Sequence, residues 1–86
     1  MTHRASIKFW KYYAELPESV KCLAKENYRI LKHNLGHTSL HFKKVGRFWS
    51  VRVGIHYRAI AIEDGEDIVW FWIGHHSEYD RLINSR

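Results

Sequence analysis

Among its 14 Lys and Arg residues the chain carries Lys43, Lys44, Arg52 and Arg58, followed by two adjacent histidines, His75 and His76, and by Tyr79. Histidine exchanges protons near neutral pH, and tyrosine can orient a proton or donate one. In the cleavage of RNA a base takes the 2′-hydroxyl proton and that oxygen attacks the adjacent phosphorus. Cations then stabilise the pentavalent dianion while an acid protonates the leaving 5′ oxygen. These residue types meet each requirement, so Arg52, His75, His76, Lys43, Lys44 and Tyr79 are the candidate catalytic residues.

The charges are segregated. Between Glu26 and Glu63 there is no acidic residue, while Arg29, Lys32, Lys43, Lys44, Arg47, Arg52 and Arg58 all fall in that stretch, and the acids Glu63, Asp64, Glu66, Asp67, Glu78 and Asp80 come after it. The net charge of +5 therefore understates the polarity of the middle of the chain. Clustered Lys and Arg are the electrostatic footprint of a phosphate-rich partner, and Phe42, Phe48, Trp49 and Tyr57 interleaved among them suit base stacking. Arg47, Arg58, Lys32 and Arg29 are candidate RNA or phosphate contacts. The plainer reading of any one of these cations is a solvated surface residue, and the plainer reading of Trp49 is a core residue.

An 86-residue chain that is 45% hydrophobic is expected to form one domain, residues 1–86, with one modest core. Its composition is the reverse of the disordered class. One cysteine, Cys22, excludes an internal disulfide. With no signal-like segment and no long apolar run, this points to the cytoplasm and away from a membrane.

The elements that must position the candidates follow from periodicity. Ser6 caps a short helix reaching about Tyr13, and Leu16-Pro17-Glu18 breaks it and starts a second, with Pro17 in the first turn. Val20, Leu23, Ala24, Asn27 and Leu31 then share one helical face, and Lys21, Lys25, Arg29 and Lys32 another. After Gly36 the period becomes two. Leu40 to Val45, a Gly46-Arg47 turn and Phe48 to Val53 read as a hairpin, in which Trp49, Val51 and Val53 face one way and Phe48, Ser50 and Arg52 the other. Tyr57 to Glu63 is a third strand, and Asp64-Gly65 marks the turn into a fourth, Ile68 to Ile73. That last strand is apolar on both faces and should be central. A helix from Ser77 to Ile83, with Tyr79 and Leu82 or Ile83 inward, completes an α+β fold: an N-terminal helical hairpin packed on a four-stranded, mainly antiparallel sheet with a short C-terminal helix.

Metal ligands are also present in kind: His75, His76, Glu78 and Asp80, or His37 with His41. Adjacent histidines on a strand point to opposite faces, and no spacing typical of zinc sites occurs, so no metal and no other cofactor is expected.

The segments Ser39-Leu40-His41-Phe42-Lys43-Lys44-Val45, Trp49-Ser50-Val51-Arg52-Val53-Gly54, Tyr57-Arg58-Ala59 and Trp70-Phe71-Trp72-Ile73-Gly74-His75-His76-Ser77-Glu78-Tyr79-Asp80 resemble the RelE/ParE superfamily of toxins from bacterial type II toxin–antitoxin systems. The resemblance spans nearly the whole chain. It implies a toxin held by a cognate acidic antitoxin and, for the RelE-like branch, a ribosome-dependent endoribonuclease that cuts messenger RNA without metal and so inhibits translation. By position, Lys43 and Lys44 match the basic residues of the first long strand, Arg52 the arginine that contacts the scissile phosphate, and Arg58 the arginine of the next strand. His75 or His76 matches the acid/base histidine, and Tyr79 the C-terminal tyrosine. Asn34-Leu35-Gly36-His37-Thr38 departs from the proline-rich turns of related chains. A ParE-like branch with this fold acts on DNA gyrase instead, and a nucleic-acid-binding relic that cuts nothing is a third reading.

Overall fold

The computed structural model describes residues 2–33 and 42–84. In chain order the elements are β1 (Thr2–Ala5), α1 (Ile7–Ala14), α2 (Glu18–His33), β2 (Lys43–Val45), β3 (Phe48–Val53), β4 (Tyr57–Asp64), β5 (Asp67–His75) and α3 (His76–Asn84). The five strands form one sheet in the order β1-β5-β4-β3-β2. All neighbours are antiparallel except β1 and β5, which run parallel.

The helices begin where local chemistry permits. Ser6 caps α1, its Oγ accepting the Phe9 N–H at 3.2 Å, which satisfies one of the donors a helix start leaves unpaired. Pro17 lies just ahead of α2, and its carbonyl accepts from the N–H groups of Val20 and Lys21. Of the face assigned to α2, Val20, Ala24 and Leu31 are buried, Asn27 is half-buried and Leu23 is exposed. Two hairpins turn on two residues each, Gly46-Arg47 and Gly65-Glu66, and the first residue of each turn has positive φ, 63° at Gly46 and 64° at Gly65. Glycine reaches that region without the clash of a Cβ. The part of the expected Leu40–Val45 strand before Phe42, and His37 and His41, lie outside the described residues.

One face of the sheet takes α1 and α2. Val51, Val53, Ala59, Ala61, Ile68, Trp70 and Ile73 pack with Leu16 and with Val20, Ala24 and Leu31 of α2, and Phe9, Tyr12 and Tyr13 of α1 close over them. A bulge keeps β5 in phase with this core. Ile60 pairs with Trp72 but Ala61 pairs with Trp70, so Phe71 is the extra residue, and Trp70 and Ile73, three apart, both reach the core.

The sequence reading gave four strands, and the structure has a fifth. β1 covers the outer side of β5 in the register Thr2–Asp67 to Ala5–Trp70, which makes β5 internal over that stretch, as its two-sided apolar pattern requires. Four residues are too few for alternation to announce a strand. The lock is polar: Arg4 reaches Asp64 at 3.0 Å and Asp67 at 3.1 Å, and the Trp70 indole N–H donates to His3 Nδ1 at 3.0 Å. His3 is only 8% exposed and lies parallel to the Trp70 ring, centroids 6.0 Å apart. Tyr28 of α2 donates its hydroxyl to the His3 carbonyl at 3.0 Å. α3 starts one residue before the expected Ser77, and it turns Tyr79 and Ile83 partly inward while leaving Leu82 42% exposed. Among the described residues no helix is long and apolar enough to cross a membrane.

Burial holds the His3 imidazole below its ordinary pKa of 6.5, and the positive charge of Lys32 adds to the effect. Unfolded, the ring binds a proton as pH falls through 6.5, whereas the folded protein resists it, so folding stability falls as pH drops below that value. The melting temperature is therefore expected to be lower at about pH 5.5 than at about pH 7.5. In His3→Phe, which cannot titrate there, the difference between the two should shrink. An undiminished difference would assign the acid limb to other groups.

Candidate functional site

The opposite face of the sheet carries the candidates. Alternation that sends Val51, Val53, Ala59 and Ala61 into the core sends Ser50, Arg52, Arg58 and Ile60 to the other side. The β3–β4 register sets Arg52 directly opposite Arg58, and the β2–β3 register sets Lys43 opposite Ser50. α3 leaves the end of β5 and crosses this face, where the Tyr79 hydroxyl donates to Ser50 Oγ at 3.2 Å. The result is a cleft of about 360 Å³ lined by Lys43, Ser50, Arg52, Arg58, His76, Tyr79 and Asp80, together with Val51.

Within it Arg58 is held by backbone, its guanidinium donating to the carbonyls of Tyr57 at 2.8 Å and Ile55 at 3.3 Å. Arg52 is half-buried, and its own carbonyl accepts from the Asn27 side chain at 3.1 Å, which ties β3 to α2 behind the cleft. Two cations that face each other across a strand pair repel by up to about 1 kcal/mol, a cost relieved when an anion sits between them. Ser50 is 2% exposed and anchors Tyr79, so Tyr79 fixes α3 as well as lining the cleft.

Only one member of each neighbouring pair of candidates lines the cleft. Lys43 lines the cleft, but Lys44 pairs with Trp49 on the core side of the sheet and bridges to Glu63 at 3.3 Å. There the Trp49 N–H donates to Glu63 at 2.7 Å, and with Lys44 it holds the Glu63 carboxyl below its ordinary range. His76, the first residue of α3, lines the cleft. His75, the last residue of β5, does not line the cleft; its ring lies beside Tyr57, centroids 5.5 Å apart, and 4.4 Å from that of His76, and Ser77 donates its backbone N–H to His75 Nδ1 at 3.2 Å. Arg47 sits in the β2–β3 turn with its guanidinium over the Phe48 ring. Arg29 and Lys32 are on α2, behind the sheet, where Arg29 pairs with Glu26 and the Lys32 ammonium lies over Tyr28. They do not join the cleft.

Ser50 and Asp80 belong to the cleft without having been chosen as catalytic or phosphate-binding candidates. Ser50 was already on the Arg52 face by alternation. Asp80 follows Tyr79 on α3, and only the packing of that helix brings it there.

No protein-family profile and no curated protein matches the sequence. Solved structures do. The toxin–antitoxin complex of RelE with RelB from Methanococcus jannaschii aligns at a TM-score of 0.71 and 17% identity over 90% of this chain and 94% of that one. The fold is that of the RelE/ParE toxins. A YoeB/ParE toxin from Agrobacterium tumefaciens aligns at 0.66 and 13% identity over 88% and 99% of the two chains, and the isolated RelE toxin of E. coli at 0.63 and 12% over 95% and 97%. The shared fold covers 88–95% of this chain at 12–17% identity, where few side chains are held in common.

The face assignment separates Lys43 from Lys44 in solution. Binding of a single-stranded RNA oligonucleotide, followed by fluorescence anisotropy across salt concentrations, should weaken in Lys43→Ala, with the log–log salt slope shallower by about 0.7. Lys44→Ala should leave both nearly unchanged, and equal losses in the two variants would contradict the cleft as the phosphate site.

Proposed function

We propose that this chain is the toxin of a type II toxin–antitoxin pair and that it cuts messenger RNA on the ribosome through 2′-hydroxyl attack on the scissile phosphate. The observation that carries the reading is the convergence of Lys43, Arg52, Arg58, His76 and Tyr79 in one cleft on the sheet face opposite α1 and α2. A gyrase inhibitor has no need of an imidazole set among three cations, and the aligned structures, which are toxins, agree with a toxin role.

In this reading Arg52 and Arg58 bind the scissile phosphate from β3 and β4, and Arg52, opposite the anchored Arg58, meets the charge that grows on the phosphoryl oxygens. His76 is the proton-transfer group, taking the 2′-hydroxyl proton or returning one to the 5′ oxygen. Lys43 on the edge strand adds positive potential from the third side. Tyr79 holds α3, and so His76, over the cleft through Ser50. Bond formation at phosphorus and loss of the 5′ oxygen balance with one proton taken and one given, leaving a 2′,3′-cyclic phosphate and a 5′-hydroxyl. An acidic antitoxin fits as the partner that masks a cationic face, and the protein acts in the cytoplasm, where ribosomes are.

The test is cleavage of messenger RNA by the purified protein with and without programmed ribosomes. Arg52→Ala is expected to lower the cleavage rate by about 10²-fold or more, the scale of a lost transition-state charge partner. His76→Ala should do likewise, whereas His75→Ala should retain most of the rate. Undiminished cutting by Arg52→Ala would remove that residue from the mechanism. Failure of the wild-type protein to cut in either condition would overturn the nuclease reading in favour of gyrase inhibition or of binding alone.

A further inference from the structure

At one end of the sheet, beside the cleft, lie three imidazoles whose proximity no part of the reaction above explains. His56 closes the β3–β4 turn, His75 ends β5 and His76 begins α3. Each offers a ring nitrogen, and these ligand atoms all lie within 4.8 Å of one another. The ring centroids of His75 and His76 are 4.4 Å apart, and that of His56 is 6.0 Å from each. The expectation that adjacent histidines diverge holds for a continuous strand. Here the chain passes from strand to helix between residues 75 and 76, and the change of backbone geometry brings both rings to one side of the sheet end.

We propose that His56, His75 and His76 form a binding site for a borderline transition-metal ion of the Zn²⁺, Ni²⁺ and Cu²⁺ class. Three neutral imidazoles are a donor set that suits these ions over Mg²⁺ or Ca²⁺, and with water in the fourth position they complete the tetrahedral shell zinc prefers. A tetrahedral ion at ordinary Zn–N lengths needs its ligand nitrogens about 3.3 Å apart, so rotations of the half-exposed rings suffice to close the set. The backbone is already placed, because the His76 N–H donates to the His56 carbonyl at 2.8 Å and so fastens the turn to the start of the helix. Ser77 Oγ, 3.1 Å from His75 Nδ1, can accept the Nδ1 proton and leave Nε2 for the ion, the outer contact that orients ligand imidazoles. That tautomer gives up the bond His75 Nδ1 now accepts from the Ser77 N–H. The nearby positive charge of Arg52 and Arg58 also opposes a cation, so the site is a modest one, sensitive to metal concentration rather than permanently filled.

Occupancy has a consequence that rests on the nuclease reading: His76 cannot carry a proton and a metal ion together, so the bound ion would switch the cleft off. The binding itself needs no such reading, and the experiment measures binding directly. Isothermal titration of untagged protein with ZnCl₂, and separately with NiCl₂, should give one site per chain in the wild type. Affinity should be at least about tenfold weaker in His56→Asn and in His75→Asn, as expected when an imidazole ligand is lost. His33→Asn, on α2 far from the cluster, should bind as the wild type does. Retention of full affinity by His56→Asn, or an equal loss in His33→Asn, would overturn the site. Circular dichroism of each variant confirms the fold, which substitution of an exposed turn histidine should not disturb. If zinc binds through the cluster and messenger-RNA cutting by wild-type protein is unaffected, the metal site stands and its inhibitory role is refuted.

Discussion

The arrangement of this molecule depends on the parity of the β3–β4 pairing. Val51 opposite Ala59 and Trp49 opposite Ala61 commit one face of the central strands to the helices, and every apolar side chain so placed is stabilised by roughly 1.5–3 kcal/mol for a large residue fully buried. The same pairing forces Arg52 and Arg58 into opposition on the other face. A shift of β3 by one residue would separate the arginines but turn Val51 and Val53 away from the core. The burial gain exceeds the like-charge cost of up to about 1 kcal/mol several-fold, so the core dictates the cationic cleft. The bulge at Phe71 serves the same constraint on the next strand, because without it Trp70 and Ile73 could not both reach the helices.

Polar contacts then fix what parity leaves loose. Tyr79 on Ser50 sets the height of α3 above the cleft, and the Tyr57 and Ile55 carbonyls hold Arg58 in place. On the far side of the sheet Lys44, Trp49 and Glu63 close a small network in which the acid offsets the lysine's charge. Adjacent lysines on the edge strand thus have different electrostatic lives: one contributes to the potential of the cleft and the other is neutralised. Asp80 places one carboxylate among the cations that line the cleft.

Much of this was legible from residue order. The two-residue turns at Gly46 and Gly65, the cap at Ser6 and the apolar face of α2 follow from local chemistry, and all stand in the structure. The choice between Lys43 and Lys44 was legible too. Counting back across the Gly46-Arg47 turn sets Lys43 opposite Ser50, which shares its side with Arg52. β1 was not, because a Thr-His-Arg-Ala segment has no periodicity to speak of and owes its strand form to Trp70, Asp64 and Asp67, far along the chain. Nor was it legible that only His76 of the two adjacent histidines lines the cleft, or that His56 approaches both, since these depend on where a strand stops and a helix starts. Arg29 and Lys32 shared a charge pattern with the cleft residues but sit on a helix that packs behind them.

The parallel strand at the beginning of the chain has a bearing on how the molecule is made. Arg4 and its partner Asp67 are 63 positions apart, so β1 cannot find its place until the chain has been made through Trp70. Until then the outer edge of β5 has no strand to pair with over Asp67 to Trp70, and His3 and Trp70 lack each other. Closure over so long a loop is entropically late, and the intermediate that awaits it exposes an unpaired strand edge. Until β1 docks, that edge is a place where another extended segment can add itself.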